Sequence, residues 1–147
     1  MGSRQAITAL VHGYAERLDQ GDFEGVARLF ATATYRSEKG PVRTGADAVL
    51  AALRDMVRLH DGTPRTKHVI TNLTIEVDEE DGTATARSYF TVLQATRELP
   101  LQVILAGRYH DRFSRADGEW RFAERIICID LVGNLSQHLR RPEGLRA

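Results

Sequence analysis

This chain of 147 residues has a single cysteine, a single tryptophan, four prolines and no net charge, with 20 basic residues set against 20 acidic ones. One cysteine excludes an intrachain disulfide, and a length of this order lets one domain bury its core without disulfide or metal staples. Cys128 lies in the apolar run Ile126-Ile127-Cys128-Ile129 and reads as a buried, inert thiol in a reducing compartment. No stretch approaches the ~18 apolar residues of a membrane span, and no N-terminal run resembles a signal peptide, so a cytoplasmic location is expected. Mixed charges leave no footprint for nucleic acid or an anionic membrane. Arg140, Arg141 and Arg146 form only a short basic group in a solvated tail. A Gly-rich phosphate loop, a nucleophile elbow and metal-ligand spacing are also missing, so neither a cofactor nor a metal is expected.

What is present falls into two halves. Ile7, Leu10, Val11, Tyr14 and Leu18 recur at helical spacing and predict an amphipathic helix over Ser3–Gln20, with Ser3 as its N-cap. Gly21 and Asp22 end it, and Phe23, Val26, Leu29 and Phe30 form the face of a short second helix starting at Asp22. Thr32–Ser37 reads as a short strand. Thr44 is placed to cap a third helix from about Gly45 to His60, with Val49, Leu50, Leu53, Met56 and Val57 on its apolar face.

From there the period changes to two. Lys67–Asp78, Thr83–Thr96, Leu101–Arg115 and Glu119–Val132 read as four long strands whose short links make neighbours antiparallel. The expected fold is α+β: three N-terminal helices packed on a strongly curved antiparallel sheet, forming a cone-shaped barrel over residues 1–133, with 134–147 as a C-terminal tail.

Alternation on the second strand puts Ala84, Ala86, Ser88, Phe90, Val92 and Gln94 on the inner face. On the next strand Val103, Leu105, Gly107, Tyr109, Asp111 and Phe113 face inward, and Trp120 and Phe122 do so on the last. The run Ile126–Ile129 is apolar on both faces, which calls for a second subunit or the C-terminal tail as cover, and a homo-oligomer, dimer or trimer, is expected. The first long strand has a parity conflict: His68, Ile70 and Asn72 share one face, while Leu73, Ile75 and Val77 share the other. A bulge near Thr71-Asn72 would bring both sets inside.

The segments Glu16-Arg17-Leu18-Asp19-Gln20-Gly21-Asp22-Phe23, Thr32-Ala33-Thr34-Tyr35, Thr66-Lys67-His68-Val69-Ile70-Thr71-Asn72, Gly107-Arg108-Tyr109-His110-Asp111-Arg112-Phe113 and Asp117-Gly118-Glu119-Trp120-Arg121-Phe122 resemble the nuclear-transport-factor-2-like superfamily, and within it the SnoaL-like group. That group includes polyketide cyclases, scytalone dehydratase, hexachlorocyclohexane dehydrochlorinase, bile acid dehydratase and ketosteroid isomerases. The resemblance implies that Asp19 and His68 form a carboxylate–imidazole dyad and that Tyr35 polarises a substrate carbonyl. It also marks departures. Gln94 stands near the place of a second active-site histidine of scytalone dehydratase, and Gly107, Tyr109 and Leu18 replace a serine, an asparagine and a tyrosine.

Chemically, a carboxylate bonded to one imidazole nitrogen leaves the other as a proton acceptor. With a donor on the enolate oxygen, proton removal beside a carbonyl leads to elimination, isomerisation or aldol closure. The expected substrate is a hydrophobic carbonyl compound, with Tyr14, Asn72, Phe90, Gln94 and Tyr109 as its candidate contacts. Two other functions fit the resemblance: a non-catalytic binding or assembly subunit, like the small subunit of ring-hydroxylating dioxygenases, and epoxide opening by an activated water.

Overall fold

A computed structural model describes residues 1–145 of the chain; Arg146 of the basic tail group lies outside them. Helix α1 covers Ser3–Asp19 and buries Ile7, Val11, Tyr14, Ala15 and Leu18, the stripe its period dictates. Gly2 rather than Ser3 holds its N-cap position, without a side-chain cap. Gly21 ends the turn with φ +77°, and a Cβ there would meet the Gly62 carbonyl oxygen at 2.4 Å, so only glycine fits. Asp22 caps α2 (Phe23–Arg28) by accepting from the Gly25 amide at 2.9 Å. Helix α3 is shorter than its sequence pattern, Ala46–Met56, and follows Gly45 rather than a threonine cap.

The sheet has six strands: β1 (Thr34–Ser37), β2 (Arg43–Thr44), β3 (Thr66–Asp78), β4 (Thr83–Gln94), β5 (Gln102–Ala116) and β6 (Glu119–Val132). Their order is β2-β1-β6-β5-β4-β3. Pairing is antiparallel except where β1 runs parallel to β6. The expected α+β architecture is therefore present, with one parallel pair and a two-residue strand that periodicity does not reveal. The β5–β6 turn is Asp117-Gly118 with φ +52° and +79°, the geometry that two-residue hairpin loops require. Among the described residues, no helix is long and apolar enough to cross a membrane.

Bulges decide which side chains enter the concave face. Thr71 pairs with Tyr89 and Thr74 with Arg87, so Asn72-Leu73 oppose Ser88 alone, and Asn72 takes φ +53°. The extra residue turns His68 and Ile70 inward on one side of the bulge and Leu73, Ile75 and Val77 inward on the other. On β5 the register steps from Val92/Leu105 to Leu93/Val103, making Ile104 the extra residue. Val103, expected inside, is therefore half exposed, and Ile104 is fully buried in its stead. A step on β6 at Ala123 brings Arg125, Ile127 and Ile129 to the inner face, and a second step lies beyond them at Asp130.

The core continues through Phe30, Phe122 and Phe113, with neighbouring ring centroids 4.8 Å apart. Phe90 stacks on Tyr109 at 4.5 Å and passes directly over Gly107. A Cβ at Gly107 would lie 2.1 Å from the Cys128 carbonyl oxygen and 2.8 Å from the Phe90 ring. Gly107→Ala is therefore expected to push β5 off β6 and cost ~1–3 kcal/mol of stability by overpacking, measurable as a lower urea midpoint.

Candidate active site

The site is built on the end of α1 and the start of β3. Asp19 is the last residue of α1, where the negative end of the helix dipole disfavours a carboxylate. Three donors from β3 offset that. The His68 amide donates to Oδ2 at 2.8 Å, the Thr66 hydroxyl to Oδ1 at 2.8 Å, and His68 Nδ1 lies 2.6 Å from the same Oδ1. Burial works to raise the Asp19 pKa, but the hydrogen bonds and charge of His68, with Thr66 behind them, outweigh it and hold the carboxyl below its ordinary value. An ionised Asp19 can only accept, so Nδ1 is the donor of that contact, and in the neutral ring Nε2 is then the acceptor. That ring lies at the wall of an apolar cavity.

The cavity has a volume of about 190 Å³. Tyr14, Tyr35, His68, Phe90 and Tyr109 all line it, so five of the eight side chains singled out from the sequence meet there, and Asp19 stands behind His68. Ile127 and Ile129 supply apolar wall from β6, together with Leu139 of the C-terminal segment. Arg36 and Arg43 stand on its β1–β2 side.

Two expected contacts are corrected. Asn72 is exposed, because it is the left-handed residue of the β3 bulge. Gln94 is buried but outside the cavity wall. Its Nε2 donates to the Pro64 and Gln137 carbonyls, each at 3.0 Å, and so fastens the C-terminal segment.

Three tyrosines sit together. The Tyr14 and Tyr35 hydroxyls are 2.7 Å apart, so one donates to the other. Burial raises the pKa of Tyr14, Tyr35 and Tyr109, and Arg125 opposes the rise at each. The fully buried Arg125 guanidinium packs 3.7 Å from the Tyr109 ring centroid and 4.3 Å from that of Tyr14, and its bonds to Asp111 are both 2.8 Å. The three tyrosines therefore stay protonated at neutral pH, and Tyr14 and Tyr109 rest on a fixed positive charge, which makes them better hydrogen-bond donors. Arg125 was not singled out from the sequence; only the inward parity of Asp111 hinted at a buried cation.

A further histidine enters from a stretch expected to be tail. His138 is 6% exposed, lines the cavity, and its Nδ1 finds no partner among the described residues. Burial, then the nearby His68, holds its pKa down to about 4, with Asp19 opposing and His60 adding. Cys128 is buried as expected, its thiol pushed up to about 11 by burial and by Glu38.

An apolar cavity under a helix-anchored carboxylate and a strand-borne imidazole, on a curved sheet with three helices, defines a class of small α+β domains with an interior site. The chain belongs to the SnoaL-like domain family, whose profile matches residues 1–126. Rv3472 of Mycobacterium tuberculosis, a protein of unknown function solved as a variant with one aspartate changed to asparagine, is 30% identical. The match covers 88% of this chain and 77% of that one, with a TM-score of 0.71. A scytalone dehydratase candidate from Novosphingobium aromaticivorans is 27% identical over 87% of this chain and 84% of its own, with a TM-score of 0.69. An NTF2-like protein with a cystatin-like fold from the same organism matches 86% of this chain and 80% of its own. At 21% identity and a TM-score of 0.71 it shows the fold alone. No functionally curated protein matches the chain.

The depressed His138 pKa sets an acid limit on stability. An unfolded histidine takes its proton near 6.5, the folded one only near 4. Between those values the unfolded chain binds the extra proton, so stability contributed above pH 6.5 is lost as pH falls toward 4, by ~3 kcal/mol at full extent. His138→Leu should flatten that decline, read as the change in urea midpoint between about pH 7 and about pH 4.5.

Proposed function

We propose that the protein is a cofactor-independent lyase, isomerase or cyclase that uses the Asp19–His68 pair as a general base on a hydrophobic carbonyl compound. The observation that carries this reading is the 2.6 Å contact from Asp19 Oδ1 to His68 Nδ1 behind an apolar cavity. The membership of the SnoaL-like family and the likeness to a scytalone dehydratase candidate support it.

In this mechanism a ring ketone lies against Phe90, Ile127 and Ile129 with an acidic C–H facing His68 Nε2. The imidazole takes the proton, and Asp19 steadies the imidazolium as it forms. Negative charge moves to the carbonyl oxygen, where the Tyr14–Tyr35 hydroxyl pair donates a hydrogen bond. The apolar wall strengthens both interactions by lowering the local dielectric. Base assistance contributes ~100- to 10,000-fold and one oriented donor ~100- to 1,000-fold. The enolate then expels a β-leaving group, is reprotonated elsewhere, or attacks a second carbonyl, according to the substrate.

The test is exchange of acidic C–H for deuterium in D₂O across a panel of cyclic and bicyclic ketones, 2-tetralone among them, followed by NMR. Exchange above the buffer rate is expected for at least one member, falling by ~100-fold or more in His68→Ala and falling also in Asp19→Asn without loss of ligand binding. Binding with a His68-independent exchange rate would leave a non-catalytic ligand carrier as the function.

A further inference from the structure

Arg125 is a fully buried cation that the proposed mechanism does not use. Regular alternation after the inward Phe122 would turn Glu124 and Ile126 inward and leave Arg125 on the convex face. The extra residue at Ala123 reverses that parity. Arg125 and Asp111, directly opposed on β6 and β5, both reach the interior with side chains 0% exposed.

Asp111 occupies Nε and NH2 of the guanidinium, at 2.8 Å each. NH1 has no partner among the described residues, so the positive charge acts on the rings it faces, with Cζ 3.7 Å from the Tyr109 centroid and 4.3 Å from that of Tyr14. Both of those tyrosines line the cavity and Arg125 does not. Arg125 can therefore influence a ligand there only through the tyrosines, and the 2.7 Å bond between the Tyr14 and Tyr35 hydroxyls carries its influence on to Tyr35. An ion pair is neutral as a whole, so its orientation decides its effect. Arg125 lowers the hydroxyl pKa of Tyr14 and of Tyr109 by more than Asp111 raises it. The cationic end of the pair faces the tyrosines.

We propose that Arg125 is a positioning residue that gives the tyrosine end of the cavity a preference for a ligand oxygen bearing negative charge over the same oxygen in its neutral form. This rests on the reading of the Tyr14–Tyr35 pair as the donor to a ligand oxygen. A hydroxyl polarised by a cation behind its ring donates more strongly, and the gain grows with the charge on the acceptor. At the other end of the cavity the Asp19 carboxylate stands behind His68, which disfavours an anionic oxygen there and leaves it to the tyrosines. Binding that strengthens as charge builds on an oxygen is the kind that speeds enolate formation.

The experiment titrates a bound probe on the full chain. The probe is 6-cyano-2-naphthol, whose hydroxyl ionises on the alkaline side of neutrality in water, clear of the histidines, with a change in absorbance. The ion pair is replaced in two ways, Arg125→Met with Asp111→Leu and Arg125→Gln with Asp111→Asn, so that neither variant leaves a lone buried charge. In both, the bound hydroxyl should titrate at higher pH than in wild type, equivalent to ~10-fold or more in its ionisation, while the neutral naphthol binds all the proteins alike. Arg125→Lys, which keeps the charge, should restore part of the wild-type value. Equal weakening of both forms of the probe would mean that the guanidinium only packs the rings. That result, equal titration in wild type and variants, failure of both double replacements to fold, or no binding of the naphthol by wild type would each overturn the inference. Because the titration needs no turnover, a shift without His68-dependent exchange sinks only the general-base reading. Exchange with no shift sinks only this one.

Discussion

Everything in the site depends on one carboxylate accepting three hydrogen bonds at the wrong end of a helix. Asp19 ends α1, where the dipole repels it, and is held there by the Thr66 hydroxyl, the His68 amide and the His68 ring. Two of these donors come from a single residue, main chain and side chain together. The same contact therefore sets both the docking of α1 on β3 and the direction of the imidazole. A helix shifted by a turn would lose all three. The rigidity of the dyad is thus inherited from the packing of Ile7, Val11, Tyr14 and Leu18 against the sheet.

A second buried charge cluster stands beneath the tyrosines. Replacing a buried ion pair such as Arg125–Asp111 with apolar side chains is often neutral or stabilising, so its presence is not explained by stability alone. The guanidinium packs against the rings of Tyr14, Tyr109 and Phe122, and its charge counteracts the rise that burial imposes on the tyrosine pKa values. It also fixes two rings that line the cavity. The His68 imidazole and the tyrosine rings therefore share one cavity, with Phe90 and Ile127 in its apolar wall.

Much of this was legible in the sequence, and the gaps have identifiable causes. The β4 alternation from Ala84 to Gln94 gave inner and outer faces because that strand carries no extra residue between Thr83 and Val92. The conflict between His68 and Leu73 pointed to a bulge, and the bulge lies at Asn72. The same bulge removed Asn72 from the cavity, since the residue that absorbs the left-handed turn cannot share the face of its neighbours. Val103 was misplaced because nothing in an apolar run such as Gln102-Val103-Ile104-Leu105 marks which residue is extra. Gln94 faces inward as its parity requires, yet its amide is consumed by two carbonyls, a matter of tertiary contact that parity does not touch. His138 lacked any signal: it stands in a polar stretch without periodicity, and only the backbone bonds to Arg58 and Met56 turn that stretch into a wall.

The apolar cavity sets this interior apart from an ordinary core. Packing given up along a cavity of this size costs stability, and His138 Nδ1, without a partner among the described residues, adds to that cost. A sequence under pressure only to fold could fill the space by enlarging Ala52 or replacing His138 with leucine. The chain instead closes the cavity with a segment anchored almost entirely through its backbone, which puts His138 and Leu139 on the wall. A ligand bound there would recover dispersion contacts along the wall and by mass action stabilise the folded chain.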